Sequence, residues 1–152
     1  MTSSLDSLIA VAERLALVPA LAAKRAADAI RELVGEEFDE GRDPYGTAWK
    51  PIEDVTLERR QVSRDPTPLT DTTGLRESLN VYARADGHGV ALEIGRPGHP
   101  AAPHQDGWAG SSGTGPARPI LPGRGMPDSW EAAIEEAVTE AIEEEVGRAV
   151  LP

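Results

Sequence analysis

Apolar and polar positions along the chain fall into two periods. Leu5, Leu8, Ile9, Ala12 and Leu15 recur three and four residues apart, which is the spacing of one helix face. Ser3, Ser4 and Asp6 are suitable N-capping residues. Pro19 interrupts the pattern, and a proline is tolerated in a helix only within its first turn. The spacing therefore predicts a short helix over 4–17 and a second over 19–39. The second has an apolar face of Ala23, Ala26, Ala27, Ile30, Leu33, Val34 and Phe38. Its small residues permit close approach of another element, as expected of a core helix. Near the other end, Pro127, Asp128 and Ser129 form an N-terminal signal. Trp130, Ile134, Val138, Ile142 and Val146 then follow at intervals of four, flanked by Ala133, Ala137 and Ala141. This predicts a last helix over 128–150 with those residues inward. Glu131, Glu135, Glu136, Glu140, Glu143, Glu144 and Glu145 are assigned to the opposite face.

Between the helices the period shortens to two. Leu79, Val81 and Ala83 alternate with polar or amphipathic positions, as do Val90, Leu92 and Ile94. Asp86-Gly87-His88-Gly89 lies between them and supplies turn residues, so a β-hairpin is expected. The stretch 41–51, Gly-Arg-Asp-Pro-Tyr-Gly-Thr-Ala-Trp-Lys-Pro, is turn chemistry. A short helix is expected over 55–60, a loop over 61–70, and another short helix carrying Leu75 and Leu79, capped by Asp71 or Thr72. Residues 95–127 are dense in Gly and Pro, which suppresses long helices and central strands. Within them, 110–115 (Gly-Ser-Ser-Gly-Thr-Gly) reads as a flexible loop and 118–121 as a short edge strand.

Length then bounds the answer. The chain has 152 residues, one domain over 1–152 with an N-terminal helical region (3–40) and a C-terminal acidic helix (128–150). The fold class is α+β: N-terminal helices and a C-terminal helix packed on a small, mostly antiparallel sheet with long Gly/Pro-rich loops. No apolar run reaches the roughly 18–20 residues that span a bilayer, and no secretory signal is expected. Cysteine is absent, which excludes disulfides, Cys-based zinc sites and a thiol nucleophile. Fifteen basic against 26 acidic residues give a formal net charge of −11, contrary to what phosphate-backbone binding needs. Eight of those acids lie between Asp128 and Glu145 with no base among them. Like charges one turn apart, and acids near a helix C-terminus, are unfavourable, so this face is expected to have a purpose.

Catalytic chemistry finds little support. His88, His99 and His104 are the only histidines. A site of His99, His104 and Asp106 would lack helical metal-ligand spacing, and Pro100 and Pro103 intervene. Ser111 and Ser112 lack the context of a nucleophile elbow. The 110–115 loop has no phosphate-binding Lys. The solvated Glu stripe offers nothing to shift a carboxyl toward acid–base work. No enzyme activity, metal or cofactor is expected.

Four segments, in order, carry a resemblance. The first is Phe38 followed by Asp43-Pro44-Tyr45-Gly46-Thr47-Ala48-Trp49-Lys50-Pro51. The second is Leu69-Thr70-Asp71-Thr72-Thr73-Gly74-Leu75-Arg76-Glu77-Ser78-Leu79. The third is the 90–95 strand followed by Ala101-Ala102-Pro103-His104-Gln105-Asp106-Gly107. The fourth is Pro116-Ala117-Arg118-Pro119-Ile120-Leu121-Pro122. This order resembles the phage virion-morphogenesis family, the Mu-like tail-completion proteins, over about 38–122. The chain departs from that pattern at Asp106 and Ile120, where the family usually has aromatics.

The resemblance implies a structural virion protein of the neck or head-proximal tail end. It implies a homo-oligomeric ring, a hexamer, that completes the tail and joins it to the head. Adjacent neck and tail proteins would be its partners: tail terminator, tail tube, head-closure or connector proteins. It implies no cofactor, no membrane and no sequence-specific nucleic acid, although DNA would pass through the ring. A non-virion assembly factor is the alternative. Trp49, with Tyr45 and Pro51, is expected to pack its turn onto the domain. Trp108, in a segment expected to be too flexible to bury it, is a candidate interface residue. The acidic helix is expected to be solvated, to line a channel that DNA traverses, or to meet a basic patch on a neighbour. Glu136, Glu140 and Glu143 would carry that role, and Arg96, Arg118 and Arg124 are candidates to pair with such acids on the next subunit.

Overall fold

The computed structural model describes residues 4–59, 68–69, 74–84, 86, 89–93, 101–111 and 113–150. Two compact units make up the chain. The first comprises Met1–Ile30, Val81–Ala91 and Ser129–Pro152; the second comprises Arg31–Asn80 and Leu92–Asp128.

The N-terminal periodicity becomes α1 (Ser4–Leu15) and α2 (Val18–Glu40). Pro19 falls in the first turn of α2, as its chemistry requires. In the first unit, α2 buries Ala22, Ala23, Ala26, Ala27 and Ile30. The hairpin is β1 (Asn80–Ala83) and β2 (Val90–Glu93), paired as a two-stranded sheet. It closes through the Arg84 N–H on the Gly89 carbonyl at 2.8 Å. Val81 is buried and Tyr82 next to it is exposed, as strand alternation demands. Gly87 and His88 of the turn, and Ile94 of the expected second strand, lie outside the described residues.

The last helix, α6 (Asp128–Val150), has the expected bounds but a different inward face. Its buried residues are Trp130, Ala137, Ala141 and Glu145, while Val138 and Ile142 are exposed. Two cations from other helices account for the rotation. Arg25 of α2 reaches Glu140, at 2.6 Å, and Glu144. Arg14 of α1 lies 3.5 Å from Glu145. Arg148 pairs with Glu144 at 2.6 Å and Glu145 at 3.2 Å. Arg14 and Arg25 hold the Glu140–Glu144–Glu145 edge against the unit, and alanines fill the approach in place of the larger side chains expected there. The acidic stripe is therefore not uniformly solvated. The apolar face of α1 is largely uncovered: Leu8, Ile9 and Leu15 are all exposed.

The second unit holds the short elements. These are α3 (Asp54–Arg59), α4 (Gly74–Glu77), α5 (Ala101–Asp106), β3 (Trp108–Gly110) and β4 (Gly113–Gly115). Its core is Val34 and Phe38 from the end of α2, with Trp49, Leu75 and Ile120. Most of the 61–70 loop and the capping candidates Asp71 and Thr72 lie outside the described residues. Two expectations are corrected here, and one short helix lies where none had been assigned. The 110–115 segment is not a simple loop, because β3 and β4 pair antiparallel with Trp108 opposite Gly115. Helix α5 forms around Pro103, which sits within its first turn and so removes no required bond. Residues 118–121 form no strand, because the Gln105 side chain takes the backbone groups that a ladder would use.

Candidate functional site

The turn over 41–51 is built by Asp43. Its Oδ1 accepts the N–H groups of Tyr45 (2.9 Å) and Thr47 (2.8 Å), and its own N–H donates to the Thr47 carbonyl at 2.8 Å. This is the local pairing that makes Asp a turn former. Gly46 supplies the positive φ, 83°, that the turn needs. The Trp49 N–H then returns to the Gly41 carbonyl at 2.8 Å. This places the indole edge-on to Phe38, with ring centroids 5.5 Å apart, while Nε1 donates to the Pro119 carbonyl at 2.8 Å. Trp49 is 5 % exposed and packs as expected. The Tyr45 hydroxyl accepts the Arg124 N–H at 2.8 Å and faces the carbonyls of Arg124 and Gly125.

Three of the four sequence motifs converge on this turn. Gln105 Oε1 accepts the N–H groups of Ile120 and Leu121 at 2.8 and 2.9 Å, and Nε2 donates to the Leu121 carbonyl at 2.7 Å. Arg118 donates its backbone N–H to the His104 carbonyl at 2.7 Å. Its side chain donates to the carbonyls of Lys50 (2.9 Å) and Pro51 (3.2 Å). The His-Gln, Arg-Pro and Trp-Lys-Pro segments thus form one backbone-directed clamp. Ile120, where the resembling family has an aromatic, is fully buried against it. The remaining motif contributes Leu75 to the core, and Arg76 pairs with Asp39 of α2. The hydrogen bond from Arg76 holds the Asp39 carboxyl below its ordinary value of 3.8.

The clamp leads directly into the β3–β4 hairpin. Gly107 joins α5 to β3 at φ 75°, where a Cβ would meet Ala117 N and Gly115 O at 2.9 Å. Only glycine fits that junction. Trp108 follows, its indole lying across Gly115 where any Cβ would collide with it. The indole remains 43 % exposed, and Ala109, Gly110, Ser111, Gly113 and Thr114 around it are exposed as well. Trp108 is therefore a displayed side chain, as expected, but on a paired hairpin rather than in a flexible loop.

The other candidate residues divide between the two units. The Arg118 side chain donates to the carbonyls of Lys50 and Pro51 and so positions the clamp. Arg124 is exposed, and its backbone anchors Tyr45. In the first unit, Glu140 is paired with Arg25, whereas Glu136 and Glu143 are exposed. Arg96 lies outside the described residues. Two features escaped the sequence reading: the Gln105 clamp, signalled only by the Gln's place in the motif, and the uncovered face of α1. Among the described residues no group of three His, Asp or Glu could hold a metal ion, and His88 and His99 lie outside them. No described helix is long and apolar enough to cross a membrane.

No curated relative and no solved structure matches the chain. The model of the phage virion morphogenesis family does match it, over residues 3–143. That span contains all four motifs, the clamp they build and the Trp108 hairpin, and the chain belongs to the phage virion morphogenesis family.

Proposed function

We propose that this protein is a structural component of the phage particle, seated in the neck or at the head-proximal end of the tail. Copies of it form a ring, sixfold in the family's implied arrangement, that completes the tail and joins it to the head. It carries out no catalysis and needs no cofactor. Its partners are the adjacent neck and tail proteins.

The observation that carries this reading is Trp108, a large aromatic 43 % exposed on a hairpin that the family's own motifs hold in place. Indole groups displayed on a fixed support are the side chains most often found as interface anchors. The exposed Leu8, Ile9, Leu15 and Leu17 support the same reading, because a chain that completes its burial in an assembly leaves apolar faces open on the free subunit.

The test is Trp108→Ala. The side chain is 43 % exposed and lies over Gly113 and Gly115, so the free protein should lose no more than about 1 kcal/mol of stability. Joining of heads to tails, followed by electron microscopy of complemented lysates, should fail. Normal particles from the variant would remove Trp108 from the interface. A large fall in melting temperature would make it a core residue instead.

A further inference from the structure

The outward side of α6 combines two features that a solvated face would not need. Glu131, Glu135, Val138 and Ile142 follow one another at intervals of four, three and four, which places them in one stripe. Val138 and Ile142 are 39 % and 42 % exposed. Glu136 and Glu143 lie about a third of a turn further round, beyond Thr139, and all four of these acids are exposed. The charge is divided between the two edges of the helix. On the inner edge Glu140, Glu144 and Glu145 are matched by Arg25, Arg14 and Arg148. On the outer side Glu131, Glu135, Glu136 and Glu143 carry no ion pair among the described residues.

We propose that this face of α6 docks a basic amphipathic segment of a different structural protein of the particle. Val138 and Ile142 would take its apolar side chains, and Glu131, Glu135, Glu136 and Glu143, along and to one side of them, would pair with its Lys and Arg side chains. The inference rests on the assembly role proposed above and names the chemistry of one partner. Charge complementarity selects the occupant. Two such faces would oppose like with like, and any other face of a second copy belongs to a chain of formal charge −11, so a second copy is the disfavoured occupant. A channel wall past which DNA slides would keep the acids but has no use for two exposed branched aliphatics beside them. A basic segment with an apolar stripe satisfies both features, and it relieves the repulsion between acids spaced one turn apart.

The experiment places the photo-crosslinking residue p-benzoylphenylalanine at Thr139, which is exposed on this face, in the full chain. That chain complements a phage lacking the gene. Purified particles are irradiated, and the crosslinked peptide is sequenced by mass spectrometry. The expected product is a peptide of another particle protein, with Lys or Arg flanking apolar residues. In parallel, Val138→Ser with Ile142→Ser, and Glu131, Glu135, Glu136 and Glu143 all to Gln, should each lower infectious titre at least tenfold. The melting temperature of the free protein should be unchanged or higher. A crosslink to a second copy, to DNA, or to an acidic segment overturns the proposal, as does wild-type titre from both variants. These results arise in particles that contain the chain and leave the neck assignment standing. A chain absent from the particles would remove the assignment itself.

Discussion

Trp49 is where the clamp can be weighed most directly. Replacing it with Ala removes an indole that is 5 % exposed, its edge-on contact with Phe38 at 5.5 Å and the 2.8 Å hydrogen bond to the Pro119 carbonyl. Loss of a buried aromatic costs about 3–5 kcal/mol once the residual cavity is included. Within that total the ring pair accounts for about 0.5–1.5 kcal/mol and the hydrogen bond for about 1 kcal/mol. Trp49→Phe keeps most of the packing and loses the N–H, so it should cost only about 1–2 kcal/mol. At roughly 2–4 °C per kcal/mol for a chain of this size, the Ala variant should melt about 6–20 °C lower and the Phe variant about 2–8 °C lower. Urea denaturation followed by far-UV circular dichroism gives the same ranking through the midpoint. If Ala costs under about 1 kcal/mol, Trp49 is not part of the core. If Phe costs as much as Ala, the Pro119 hydrogen bond rather than the packing dominates, and the weighting above is wrong.

Three further variants probe the same architecture. Gln105→Ala strips partners from the N–H groups of Ile120 and Leu121 and from the Leu121 carbonyl, and should cost about 2–4 kcal/mol in the same urea assay. Gly107→Ala forces a Cβ to within 2.9 Å of two backbone atoms at φ 75°; a loss of more than about 2 kcal/mol is expected, with exchange protection falling first in the β3–β4 hairpin. Asp39→Asn removes the Arg76 partner. Because the folded-state pKa of Asp39 is lowered, its contribution is fully present above the ordinary carboxylate value and is lost as pH falls through the lowered one. The wild type should therefore exceed the variant in stability by a constant amount near neutral pH, and denaturation curves should converge only in strong acid. A gap that instead grows as pH falls would contradict the sign.

What the sequence made legible follows from where one physical signal stood alone. Helices α1, α2 and α6 and the β1–β2 hairpin have long periods or a strong turn, and all lie where expected. The inward face of α6 did not, because periodicity weighs Ile and Val above Ala. Packing here used Ala137 and Ala141, and ion pairs from Arg14 and Arg25 set the rotation. Those pairs connect residues more than a hundred positions apart, and no local pattern records them. The β3–β4 hairpin was hidden because its strands contain mainly Gly, Ala and Thr, and what fixes it is the Trp108 indole across Gly115. Helix α5 was hidden by Pro103. Trp49 and Trp108 were separated correctly, one inward and one displayed, because the Asp43 turn chemistry constrains the first. The clamp itself is made largely of side-chain bonds to backbone carbonyls and N–H groups, and motif order pointed to it without revealing its form.

The most direct measurement is the copy number of this chain in purified infectious particles, by quantitative mass spectrometry against the portal protein. A small fixed number equal to one ring is the predicted result, and it would place the protein in the neck or tail end. Its absence from infectious particles would contradict the structural role and make the chain an assembly factor that leaves before the particle is finished.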